Sequence, residues 1–238
     1  MKRIIWIMLM AISSGVIFSK DISVKAAESD IIADFKARLS SEYGKMFGTI
    51  NPRIKNNLEK LLTIQESFDY SFDSLAQYVK IVQSKDKNLR IFSWNKMSGG
   101  TAHDISVTAQ YMTSKGEVKV KRILTDAVMQ EIHELDINGR RNYLCIGYGT
   151  YGGGRHHKAV FLYEIDGSDL KLNKESFDKK YSIIQAPRSR KIDFEYNENE
   201  KTLRFSQMSY EATEDGRENV VYKRTILKLI NGKFTETR

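Results

Sequence analysis

Near Lys85 the apolar residues of this chain change their spacing, and that change limits the fold more than any other feature. Before it they recur every three or four positions, which places them on one stripe of a helix. Ser29 and Asp30 can cap a helix carrying Ile31, Ile32, Phe35, Leu39 and Tyr43, with Gly44 and Gly48 ending it. Pro52, after Asn51, suits the first turn of a second helix built on Ile54, Leu58, Leu61 and Leu62. Leu75, Tyr78, Val79 and Val82 predict a third, short helix, although Tyr78 to Gln83 could also be a strand.

Beyond Lys85 the period is two. Leu89 to Trp94 reads as a strand, and from Ile105 the alternation is clean: Ile105, Val107, Ala109 and Tyr111 on one face, Asp104, Ser106, Thr108 and Gln110 on the other. That pattern predicts a half-buried strand. Turns follow at Ser114-Lys115-Gly116, Asn138-Gly139, Asp166-Gly167, Asn197 to Glu200 and Asn231-Gly232. Asn-Gly between alternating runs is the strongest short hairpin signal. Strands joined by tight turns make a meander and not a βαβ sheet. The expected class is α+β and mainly β: an antiparallel meander, as a curved sheet, an open barrel or a propeller-like array, carrying two or three N-terminal helices.

The first residues speak to compartment. Met1-Lys2-Arg3 is a short positive start, Ile4 to Phe18 is an apolar run, and Val24-Lys25-Ala26 offers compact residues for a peptidase. This order predicts a cleavable export signal over 1–26, with cutting after Ser19 as the other site. A helical segment over 27–85 and a β-domain over 86–238 would then form a soluble periplasmic or secreted protein. Cys145 is the only cysteine and lies far from the apolar run, so no lipid anchor and no internal disulfide are expected. No second long apolar stretch predicts a transmembrane helix in the mature chain. The formal charge of +8 falls to +5 without residues 1–26, well mixed along the chain, which argues against a nucleic-acid partner.

The most unusual segment runs from Gly147 to Lys158. Gly147, Gly149 and Gly152 match G-x-G-x-x-G, but between two predicted strands, where no helix N-terminus can face a pyrophosphate. A different chemistry remains open to it. Gly152, Gly153 and Gly154 let backbone N–H groups turn toward an anion. Arg155 and Lys158 add charge, Tyr148 and Tyr151 add flat surfaces, and His156 and His157 add polar rings. The plainer alternative is a long hairpin loop with ordinary turn residues. His133-Glu134 opens H-E-x-x-H, but position 137 is Ile, so that motif is absent. His156 and His157 should point to opposite faces of a strand, so no metal and no cofactor are expected. Cys145, between Leu144 and Ile146, reads as a buried, inert thiol. Basic residues cluster at Arg188-Ser189-Arg190-Lys191 and at Lys119 to Arg122, where a polyanion could meet them.

Ser93-Trp94-Asn95-Lys96-Met97-Ser98-Gly99-Gly100-Thr101 resembles a segment of uncharacterised exported bacterial proteins, in the form S-W-x-x-x-x-G-G-T. The likeness spans residues 85 to 165, including the glycine-, tyrosine- and histidine-rich segment, and implies no activity.

These features predict a non-enzymatic binding or interaction protein for a small anion, a glycan or a protein. Its expected ligand-binding residues are Tyr148, Tyr151, Gly152, Gly153, Gly154, Arg155, His156 and His157. Two alternatives stand beside it: a hydrolase with a polar centre of His103, His156 and His157, and a structural or inhibitory partner of another exported protein.

Overall fold

A computed structural model of the chain describes residues 24–40, 47–212 and 218–237. Within them, two α-helices precede three antiparallel sheets that follow one another along the chain. The first sheet orders β1 (Lys80–Gln83), β2 (Leu89–Asn95), β3 (Ile105–Met112) and β4 (Val118–Arg122). The second orders β5 (Ala127–Ile137), β6 (Arg140–Tyr151), β7 (Arg155–Asp166) and β8 (Asp169–Leu172), with β9 (Ile183–Pro187) also paired to β7. The third orders β10 (Phe194–Asn197), β11 (Thr202–Ala212), β12 (Glu218–Ile230) and β13 (Lys233–Thr237). Among the described residues the meander is thus three separate sheets, neither one curved sheet nor a barrel.

The turns obey their residues. Asn138 and Gly139 sit at φ 55° and 75°, and Asn231 and Gly232 at 49° and 78°. Two successive positive φ values make the tight turn whose twist matches the strands it joins.

Sheets stack because each has two usable faces. Ile91, Val107, Ala109 and Tyr111 of the first sheet pack on Met129, Tyr143, Cys145 and Ala159 of the second. The alternate residues of the second sheet, Leu144, Ile146, Val160 and Leu162, pack on Leu203, Phe205 and Leu227 of the third. The second sheet is therefore buried on both sides, which explains the unbroken apolar run Tyr143 to Ile146. A bulge between Met129 and Glu131 shifts the parity of β5, so Met129 serves one core while Leu135 and Ile137 serve the other.

The helices cover the outer face of the first sheet. Ile31 and Phe35 of α1 (24–40) and Ile54, Leu58 and Leu61 of α2 (Phe47–Leu62) pack against Phe92 and Trp94. This cover corrects the half-buried expectation for β3, because Thr108 and Gln110 are as buried as the apolar face. Gln110 accepts from Arg90 (2.7 Å to Nη2) and donates to Leu62 O and Ser67 Oγ (2.8 Å each). Arg90 also donates to Ser67 O (2.6 Å) and Tyr70 O (2.7 Å) and lies over the rings of Phe72 and Phe92. Burial pulls its guanidinium down to about 10.

Three helical expectations need correction. Helix α1 is already formed at Val24, and Ser29 Oγ bonds back to Lys25 O (3.0 Å) instead of capping. Helix α2 begins at Phe47, so Gly48 and Pro52 lie inside it. Buried Ile50 and Asn51 hold this early turn, Asn51 Nδ2 donating to Lys96 O at 2.8 Å. In place of a third α-helix there is a short 3-10 turn, Leu75–Gln77, followed by β1, which pairs with β2. The first sheet therefore starts before residue 86. Gly44 lies outside the described residues.

One half-buried carboxylate ties the first two sheets together. Asp86, in the β1–β2 turn, accepts from Ser84 Oγ (2.6 Å), Asn88 N (3.0 Å), Arg141 Nη1 (2.7 Å) and Tyr143 OH (2.9 Å). Burial alone would raise its pKa, but the Ser84, Asn88 and Tyr143 hydrogen bonds outweigh it and hold the group at about 2.

Candidate functional site

The glycine-rich segment is a tight hairpin and not a long loop. Strand β6 runs on to Tyr151 and β7 starts at Arg155, leaving only Gly152, Gly153 and Gly154 to turn. Gly153 and Gly154 take φ of 70° and 73°. The register pairs Tyr151 with Arg155, Thr150 with His156, Gly149 with His157 and Tyr148 with Lys158.

Strand alternation sends the two histidines to opposite faces. On one face, His156 Nε2 donates to Arg190 O (2.8 Å), and Tyr148 OH meets Nδ1 at 3.0 Å. A carbonyl can only accept, so Nε2 carries a proton, and in the neutral ring Nδ1 accepts from Tyr148. Both ring nitrogens are used, and the histidine brackets the hairpin to the segment after β9.

On the other face, His157 is fully buried and stacks on Tyr151, with ring centroids 4.2 Å apart. Its Nε2 lies 3.1 Å from Asp126 Oδ1, an ion-pair distance outside hydrogen-bond geometry, and Nδ1 has no hydrogen-bond partner among the described residues. Burial lowers the pKa of His157, and Asp126 opposes that only in part. Burial and then Asp126 raise that of Tyr151. Gly149 makes this packing possible, since a Cβ there would stand 2.4 Å from His157 Cε1 and 2.5 Å from Asp126 O.

Neither His103 nor His133 joins them. His103 donates its backbone N–H to Thr150 Oγ1 (3.2 Å), and His133 contacts Glu131 and the Tyr196 ring. Among the described residues no cluster of three or more His, Cys, Asp or Glu could hold a metal. Asp104, beside His103, accepts from Ser98 (2.6 Å) and pairs with Lys96 (2.5 Å). Cys145 is fully buried, and burial pushes its thiol pKa up.

What the hairpin tip does gather is guanidinium. Arg188 N donates to Gly154 O (2.7 Å), and its side chain donates to Tyr151 O (3.0 Å) and Thr101 O. Arg155 Nη2 donates to Tyr210 OH (2.5 Å). Arg190 lies 3.8 Å over the Tyr222 ring. Tyr210 pairs with Val220 and Met208 with Tyr222, so both tyrosines stand on one face of the long β11–β12 hairpin. Arg155 and Arg190 therefore rest on a shared aromatic platform. Among the described residues none of the three arginines has a carboxylate partner.

Sequence reasoning found Arg155 and the Arg188–Arg190 cluster but not that Arg155 and Arg190 share one tyrosine platform, and it missed Tyr210, Tyr222 and Asp126. Only the exposed aromatic–aliphatic pattern on β11 and β12 hinted at the platform. No family model matches this chain, and no curated protein matches it.

Proposed function

We propose that the protein is an exported binding protein that recognises an acidic ligand, foremost an anionic glycan, at the tip of the β6–β7 hairpin. One observation carries this reading: Arg155 and Arg190, from two segments, rest on Tyr210 and Tyr222 at the hairpin tip, Arg188 is bonded to the tip's backbone, and among the described residues no carboxylate neutralises the three. Guanidinium groups suit planar acidic groups, and the exposed Tyr210 ring beside Arg155 offers a surface for a sugar ring. The hairpin tip is fixed by the His156 bracket and the Arg188 bonds, so these donors are ordered before a ligand arrives.

Immobilised sulfated and uronic-acid oligosaccharides, with neutral dextran as control, test the reading. Binding should weaken with salt. Losing one charge-assisted contact costs about 1.5–3 kcal/mol, roughly a 10- to 100-fold weaker Kd for Arg155→Ala or Arg190→Ala. Absence of binding to any acidic probe at low salt, or full binding by the double variant, sinks it.

Export rests on the order of residues 1–26. The fold bears on the cut: Val24 is 1% exposed within the helical core, so cleavage after Ala26 would remove a core residue. Cleavage after Ser19 keeps α1 whole over its described length, and the N-terminal mass of the secreted protein decides between them.

A further inference from the structure

A cleft of about 410 Å³, lined by none of the three arginines, opens at the edge of the second sheet between the β4–β5 linker and the excursion that joins β8 to β9. Its walls are Leu124, Phe161, Leu172, Phe177 and Ile183, and Lys174 and Lys179 stand on its lining. Leu124 is 94% exposed and Leu172 is 45% exposed, so two large apolar side chains sit in water at one rim. Neither lysine has an ion-pair partner among the described residues. Asp126, the acidic group of the lining, is engaged with His157.

The cleft floor offers more than grease. Val160 N–H donates to Ser182 O and Asn173 N–H donates to Leu162 O, both at 2.8 Å. Along an antiparallel edge the N–H and C=O of one residue point the same way. Val160 C=O and Leu162 N–H therefore face the gap that the chain leaves at Asn173 and closes at Ser182. Ser182 N–H is spent on Lys179 O (3.0 Å) and cannot fill it. Buried backbone groups of this kind take a partner from protein, water or ligand.

We infer that this cleft binds a small apolar monocarboxylate, its carbon body against Phe161, Leu172 and Phe177 and its head group held by Leu162 N–H and the two lysines. The volume falls in the range of small-molecule sites, and a few polar groups within apolar walls are what such sites share. The charge selects an anion, and the inference stands apart from the hairpin-tip site.

The test uses the full chain with decanoate, decanol and decyltrimethylammonium, each below its micelle concentration, followed by calorimetry and by the amide resonance of Leu162. Decanoate should saturate with a Kd of about 10–100 µM and shift the Leu162 amide, with the alcohol and the cation at least about tenfold weaker. Lys174→Glu/Lys179→Glu should lose at least about tenfold, as should Leu124→Asp/Leu172→Glu, with melting temperatures unchanged because these side chains are exposed. No saturation by about 1 mM, equal binding of the cation, or a loss seen only in Arg155→Ala/Arg190→Ala overturns the inference, the last by placing the anion at the hairpin tip.

Discussion

Replacing Gly149 by alanine tests the packing of the hairpin directly. The added Cβ would meet His157 Cε1 at 2.4 Å, His157 Nε2 at 2.6 Å and Asp126 O at 2.5 Å. The ring is boxed in by Tyr151, and Asp126 O is backbone, so neither neighbour yields cheaply. Forced overpacking costs about 1–3 kcal/mol, and alanine recovers about 0.5–1 kcal/mol because glycine loses more freedom on folding. Because neither neighbour yields, the upper part of that range applies, and the net loss is about 1–2 kcal/mol, or roughly 2–8 °C in a domain of this size. Gly152→Ala is the control, since nothing lies within 4 Å of a Cβ there. Thermal and urea unfolding read both. Because the clash is shared with the ring, Gly149→Ala/His157→Ala should destabilise by less than the sum of the single changes, with a coupling of about 1 kcal/mol. A Gly149→Ala protein melting within about 1 °C of the parent, or strictly additive changes, would refute the packing argument.

Three further outcomes follow from the buried polar groups. Asp86 titrates at about 2 when folded, below its unfolded value of 3.8. Its stabilisation is therefore present above pH 3.8 and lost as pH falls toward 2, and Asp86→Asn should flatten that part of an acid-unfolding profile, by about 1–2 kcal/mol after solvent screening. Arg90→Met should cost about 2–4 kcal/mol in urea unfolding, because the Ser67 and Tyr70 carbonyls and Gln110 lose their donor. Cys145 should resist thiol reagents in the native protein and react on unfolding; fast native labelling would contradict its burial.

The sequence made strands and turns legible where local chemistry decides them. Asn138-Gly139 and Asn231-Gly232 turn as their residue types require, and Ile105 to Tyr111 alternate as expected. What escaped depends on contacts far along the chain. Whether Tyr78 to Gln83 is helix or strand stayed open in the sequence, and Lys80–Gln83 is a strand because β2 offers it an edge. Thr108 and Gln110 look like a wet face until the helices cover them. Strands β8 and β9 share one edge of β7 across an interruption that no periodicity marks. The site divided in the same way. Opposite orientation of His156 and His157 follows from strand alternation, whereas their partners, Arg190 and Asp126, lie 34 and 31 positions away in sequence.

The stacking order also governs how this molecule can be built. The first and third sheets pair their strands in chain order and the second departs from it only where β9 returns to β7, so each closes from a local stretch, and such short-range pairing favours fast folding. The layers are not equal, however. The first has helices on one side and the second sheet on the other, whereas the second depends on both neighbours for Tyr143 on one face and Leu144 on the next. A chain ordering from its N-terminus would complete the helices and first sheet early, then carry a second sheet with one apolar side bare until Ile192 and the strands β10 to β13 arrived to shield it. The period of greatest exposure therefore lasts until the third sheet is in place.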